Sequence, residues 1–220
     1  MRLLFVRHAE PDYSIDALTP LGHRQAAAAA ERLANEGITH IVSSTCGRAW
    51  LTAEYTAKRL GLPIEPADFM REIGWGSRDG SEIMHNGNPW NIGGEAIAAG
   101  VSLMCDPEKE PFFNNNRVLD SVVALSEGLD NWLAGRGYHR DGEYYKIDED
   151  ADNSTVAIFC HNGATAAALS HLTNIPFFYL CSSVSINHAS ITAASLPKVA
   201  SRVTGVGLSY INDFRHTLGV

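Results

Sequence analysis

The chain is short of the features that would make it anything other than a soluble globular enzyme or binding domain. It has only four cysteines, Cys46, Cys105, Cys160 and Cys181, and no two of them form a C-x-x-C pair. That spacing excludes the common zinc and thioredoxin-type motifs and fits a reducing cytoplasm. No apolar run approaches the ~18 residues needed to span a bilayer, and the opening MRLLFVRHAE is too short in apolar residues for a signal segment. Basic residues are also scarce, 17 against 25 acidic, for a formal net charge of −8. A chain with that balance has no bulk basic surface for nucleic acid or anionic membrane, though a few arginines can still build a small cationic pocket. Internal repeats and low-complexity tracts are absent apart from one alanine run. With 220 residues, 45% hydrophobic and 19% charged, it is large enough to bury a proper core as a single domain.

What is present reads as alternating strands and helices. Leu3-Leu4-Phe5-Val6 is a continuous apolar run, the mark of a strand covered on both faces. Thr19-Pro20 is a helix start, with Thr19 as N-cap and Gly37 as the stop. Residues 38–43 form a second strand and 46–60 a second helix closed by Gly61. This alternation predicts βαβ units, hence an α/β fold with a mostly parallel sheet between helical layers, a three-layer α/β/α sandwich. Further on, helices are expected over 95–104 and 117–133, a hairpin over 138–147 turning on Asp141-Gly142, a buried strand over 155–160, and late strands over 190–195 and 202–208. The loop-rich stretch from Gly74 onward suggests an inserted cap, about 74–153, within a single domain 1–220.

Two buried strands end directly in a histidine: Val6-Arg7-His8 and Phe159-Cys160-His161. Ligands in open α/β sheets bind at the carboxyl ends of strands, so both histidines belong on one rim. Ser43-Ser44-Thr45 and Arg48 follow the second strand onto the same rim. Arg7, His8, Arg48 and His161, with free amides at helix N-termini, make a pocket suited to a compact dianion, most simply a phosphoryl group.

Four segments in order resemble the histidine phosphatase superfamily, the phosphoglycerate mutase-like proteins. They are Arg7-His8-Ala9-Glu10, Leu18 to Ala26 (LTPLGHRQA), Ser43 to Ala49 (SSTCGRA) and Cys160-His161-Asn162-Gly163. The resemblance implies metal-independent hydrolysis of a small phosphomonoester through a phosphohistidine on His8, without a cofactor. It implies that Arg7 and Arg48 hold the phosphoryl oxygens and that His161, if protonated, adds a third positive group. Met70-Arg71-Glu72 resembles the segment that carries the family's general acid, which makes Glu72 the candidate, with Glu82 and Glu95 as alternatives. Departures are Ala9 for the usual Gly, Pro11 and Ser14 where Thr and Asn are frequent, and Asn162 for a common Gly. Ser14 and the backbone of Asn162 are expected to help bind phosphate.

Other readings stay open. A phosphoglycerate-type mutase would use the same first half-reaction, but between Gly74 and Asn116 the only cations are Arg78 and Lys109. A phosphate-binding module without turnover would keep the arginines and lose the acid. The remaining histidines, including His188 before a late strand, are not assigned to the site. Trp75, Trp90, Phe112 and Phe113 either line a substrate pocket or form a local core. The late strands offer an edge through which a homodimer would pair.

Overall fold

The computed structural model describes residues 1–199 and 201–220. In chain order its first half contains β1 (Arg2–Arg7), β2 (Pro11–Asp12), β3 (Ala17–Leu18), α1 (Pro20–Leu33), β4 (His40–Ser43), α2 (Gly47–Leu60), β5 (Ile64–Pro66) and α3 (Ile92–Ala98). There follow α4 (Val118–Ala134), β6 (Tyr138–Asp141), β7 (Tyr144–Ile147), β8 (Thr155–Cys160), α5 (Asn162–Thr173), α6 (Phe177–Ser183), β9 (Ile191–Ser195), β10 (Val203–Thr204) and β11 (Gly207–Asp213).

Six strands form the central sheet in the order β11-β9-β1-β8-β4-β5. β1, β8, β4 and β5 are mutually parallel, while β9 runs antiparallel to both β1 and β11. The alternation of side chains along β1 explains why its apolar run is unbroken. Leu3 and Phe5 enter one core with Leu125, Leu129 and Leu133 of α4 and Leu169 and Leu172 of α5. Leu4 and Val6 enter the other, with Leu33 of α1 and Ala53 of α2. Both faces are thus covered, giving the three-layer α/β/α arrangement that the sequence predicts.

Local chemistry sets the helix ends. The Thr19 hydroxyl accepts from the Gly22 amide at 3.0 Å, and Pro20 occupies the first turn of α1. Gly61 closes α2 in the left-handed conformation, φ 70°. The short strands β2, β3 and β5 are absent from the sequence reading, and three further elements depart from it. The helix expected over 95–104 spans Ile92–Ala98 instead, because Gly100 turns left-handed and the Val101 amide folds back onto the Ala96 carbonyl. The strand expected over 202–208 is split: Val203–Thr204 pairs with β7 in a separate sheet, and the strand on β9 is Gly207–Asp213. Helix α6 is absent from the sequence reading because seven residues, mostly buried, carry no amphipathic period.

The stretch 74–153 divides in two. Residues 74–117 are mostly irregular and carry α3, whereas α4 and the β6–β7 hairpin contribute Leu125, Leu129, Tyr138 and Tyr145 to the main core. Phe113 stacks on Phe178 at 4.2 Å, and Trp75 meets Trp90 edge-on at 5.5 Å against that core. Among the described residues no helix is long and apolar enough to cross a membrane.

Candidate active site

Strand register builds the site. Arg7 of β1 lies opposite Cys160 of β8, so the next residues, His8 and His161, emerge side by side at the carboxyl rim. Their rings are 5.2 Å apart and edge to face, and the two residues are 1% and 0% exposed. Ser43 of β4 lies opposite Phe159, which brings Ser44 onto the same rim, its hydroxyl 2.8 Å from His161 Nε2.

His8 Nδ1 is 2.8 Å from the Ala9 carbonyl. A carbonyl only accepts, so Nδ1 carries the proton and Nε2 keeps its lone pair. Burial, then the neighbouring His161, Arg7 and Arg48, pushes the His8 imidazole down to about 2, against the opposing hydrogen bond to the Ala9 carbonyl. It is therefore neutral at neutral pH. His161 is held down to about 3, first by burial and then by Arg48, Arg7 and Arg71. The condition attached to His161, that it be protonated to add a positive group, is therefore disfavoured in this pocket by burial among arginines. A dianion beside it would raise it.

The two arginines come from different elements. Arg7 leaves β1 and donates to the Ile186 carbonyl and, at 2.9 Å, to His188 Nε2. Arg48 sits in the first turn of α2 and donates to Asp16 Oδ1 at 2.5 Å. The other oxygen of Asp16 accepts from the Gly47 amide at 2.7 Å, capping a helix whose own N-cap residue, Cys46, offers no side-chain bond. A Cβ on Gly47 would lie 2.3 Å from the Asp16 carbonyl, so only glycine permits this approach. Thr52 ties the arrangement together, accepting from the Ala9 amide at 3.0 Å and donating to the Arg48 carbonyl at 2.7 Å.

Glu72 is at the mouth of α5. Its Oε1 accepts from the amides of Ile73 at 3.0 Å and Ala164 at 3.1 Å. Burial raises its carboxyl above the usual range, against the opposing pull of the Ile73, Gly163 and Ala164 amides and of Arg7. A Cβ on Gly163 would fall 2.3 Å from Ile73 Cγ1 and 2.7 Å from Glu72 Oε1, so the helix approaches the acid through a glycine. Four buried polar atoms here have no hydrogen-bond partner among the described residues: Arg7 Nε, Arg48 Nε, His161 Nδ1 and Asn162 Oδ1. Buried orphan nitrogens of arginine and histidine gathered at one rim fit an anion.

Of the residues expected from sequence, the structure brings His8, His161, Arg7, Arg48, Glu72 and Asn162 to this rim. Ser14 stands apart: it is exposed, and its hydroxyl donates to Asp12 Oδ1 at 2.5 Å within its own turn. Glu82 and Glu95 are exposed in the irregular segment, with Glu95 beside His85 at 3.5 Å. Sequence reasoning passed over Asp16, brought Ser44 to the rim without giving it a role, and left His188 unassigned. Ser44 carried the signal of a residue that follows a buried strand and His188 that of one preceding a late strand, whereas Asp16 carried none.

The sequence profile of the histidine phosphatase superfamily (branch 1) matches residues 3–91. The probable phosphoglycerate mutase GpmB of Yersinia pestis (strain Pestoides F) is 36% identical over 153 residues, covering 62% of this chain and 70% of that protein. The chain belongs to the histidine phosphatase superfamily. Solved structures of the superfamily fold agree with this. The mycobacterial glucosyl-3-phosphoglycerate phosphatase superposes with a TM-score of 0.64 at 25% identity, over 96% of this chain and 98% of that one. A phosphoserine phosphatase from Entamoeba histolytica superposes with a TM-score of 0.65 at 18% identity, over 98% of each chain, and shows the shared fold.

Proposed function

We propose that this superfamily member is a phosphatase that hydrolyses a small phosphomonoester without a metal ion, through a phosphohistidine on His8. The observation that carries the reading is the state of His8. Its Nδ1 proton is fixed on the Ala9 carbonyl and its Nε2 is free, beside His161 and two arginines with unpartnered nitrogens. The Nε2 lone pair attacks phosphorus while the ester P–O bond breaks. Arg7, Arg48 and His161 balance charge on the non-bridging oxygens. Glu72, whose burial favours the protonated carboxyl, gives its proton to the leaving oxygen. Water then attacks the phosphohistidine, Glu72 takes the water proton, and the P–N bond breaks to release inorganic phosphate and neutral His8.

A mutase reading has support from the name of the GpmB relatives. The charges of the irregular segment weigh against it. Arg78 is held by Glu108 at 2.7 Å and Asp120 at 2.6 Å, and Lys109 by Asp106 at 2.8 Å. Neither is a spare cation for a second phosphate. The test is phosphate release from an aryl phosphate in EDTA by the wild type and by His8→Ala. Release that survives EDTA and vanishes in the variant supports the phosphatase. Retention of the phosphoryl group on a sugar-acid acceptor would favour the mutase, and activity lost in EDTA would overturn the metal-free mechanism.

A further inference from the structure

His188 belongs to none of the four sequence motifs, yet it forms a wall of the site. It lies between α6 and β9, in a segment fastened on several sides. The Arg7 amide donates to the Ser190 carbonyl at 3.1 Å and the Ala189 amide to the His8 carbonyl at 3.2 Å. Ala189 also adopts a left-handed φ of 56°, a strained conformation for a residue with a Cβ. Its carbonyl lies 2.9 Å from His216 Nε2. The backbone is therefore held in an unfavourable state that aims the preceding side chain inward. The His188 ring centre is 5.6 Å from that of His8.

The contact with Arg7 fixes the chemistry. A guanidinium has donors only, so His188 Nε2, 2.9 Å from Arg7 Nη2, must be the acceptor and the proton must sit on Nδ1. The neutral form this requires is the one the surroundings favour. Burial and then Arg7 hold the imidazole down to about 4, against the single opposing carboxylate of Glu10. Ile186 of the same segment takes the other terminal nitrogen of Arg7. Two acceptors thus fix the plane of a guanidinium whose Nε has no partner.

We infer that His188 is a positioning residue, which accepts from Arg7 and holds its guanidinium in the orientation that grips the phosphoryl group. The inference rests on the phosphatase reading above. Its effect runs through Arg7, so it is measurable without any knowledge of the natural substrate.

The test is the dissociation constant for inorganic phosphate, with kcat/KM for an aryl phosphate alongside, in His188→Ala, His188→Phe and His188→Gln. Phe keeps a ring without an acceptor, and Gln keeps an acceptor without the ring. Removal of the acceptor should weaken phosphate binding and kcat/KM by about tenfold. His188→Phe should therefore match His188→Ala, while His188→Gln stays near the wild type. In an Arg7→Ala background, His188→Ala should cost nothing further in phosphate affinity. Equal behaviour of Phe and Gln, or an undiminished effect without Arg7, would overturn the inference and leave His188 a packing residue. Should the wild type itself bind no phosphate, the phosphatase reading falls and the inference falls with it.

Discussion

Ser44 and His161 are joined across two neighbouring strand ends by a 2.8 Å contact between hydroxyl and ring nitrogen. The parallel register that sets Ser43 against Phe159 makes that contact unavoidable once β4 and β8 pair. The serine hydroxyl also lies 3.3 Å from the Cys46 amide, so it links the ring to the start of α2. Ser44→Ala should release the His161 ring and lower kcat/KM by about tenfold, the worth of one buried hydrogen bond in a transition state. Steady-state kinetics checks this, and an unchanged kcat/KM would show that His161 is oriented by packing alone.

Glu72 acts on the leaving oxygen in the proposed mechanism, so its importance depends on the leaving group. Glu72→Gln should lower turnover of alkyl phosphates by about 10²–10⁴-fold. Aryl phosphates such as p-nitrophenyl phosphate, whose leaving oxygen needs little protonation, should be affected far less. A uniform loss across both classes would mean that Glu72 serves only to hold the start of α5.

Gly163→Ala tests the same contact from the other side. The added methyl meets Ile73 and Glu72 at distances no side chain tolerates, so one of them must move. A loss of about 1–3 kcal/mol in stability is expected, together with a drop in alkyl phosphate turnover. Chemical denaturation and kinetics on the one variant decide it; wild-type values in both would show that the helix start adjusts freely.

The buried histidines set a stability slope with pH. His8 and His161 are held to about 2 and about 3, while an unfolded histidine titrates near 6.5. Between those values the unfolded chain binds protons that the folded chain refuses. Stability is therefore complete above about pH 6.5 and falls as pH decreases below it, by up to about 1.4 kcal/mol per unit for each histidine. Denaturation at pH 7 and pH 5 should show a smaller loss for His8→Asn than for the wild type. Parallel slopes would mean that His8 titrates normally in the folded protein.

How much was legible in the sequence follows from how each residue reaches the rim. Arg7, His8 and His161 continue directly from buried strands, and Arg48 opens a helix two residues past another strand-end loop, so an apolar run and its stop betray them. The two helical layers were legible for the same reason, since Leu3 to Val6 can be apolar throughout only if both faces are covered. Asp16 arrives through a short hairpin with a left-handed backbone, φ 49°, that no periodicity announces. His188 arrives through the reversed direction of β9, which depends on a pairing between residues 185 positions apart, such as Val6 with Ile191. Ser14 misled because its place in the motif says nothing of a turn that closes on Asp12. Glu72 was legible as an acid, but one of the two amides that hold it, that of Ala164, belongs to a helix 92 residues later.

The reversed direction of β9 also has a bearing on how this site can be altered. The parallel strands contribute to the rim where they finish, and those junctions carry His8, His161 and Ser44, whose hydroxyl contacts the His161 ring. β9 contributes where it begins, through a segment that bears none of those groups. Changes to that segment therefore act on the site through the grip of Arg7, without replacing His8, His161 or Ser44.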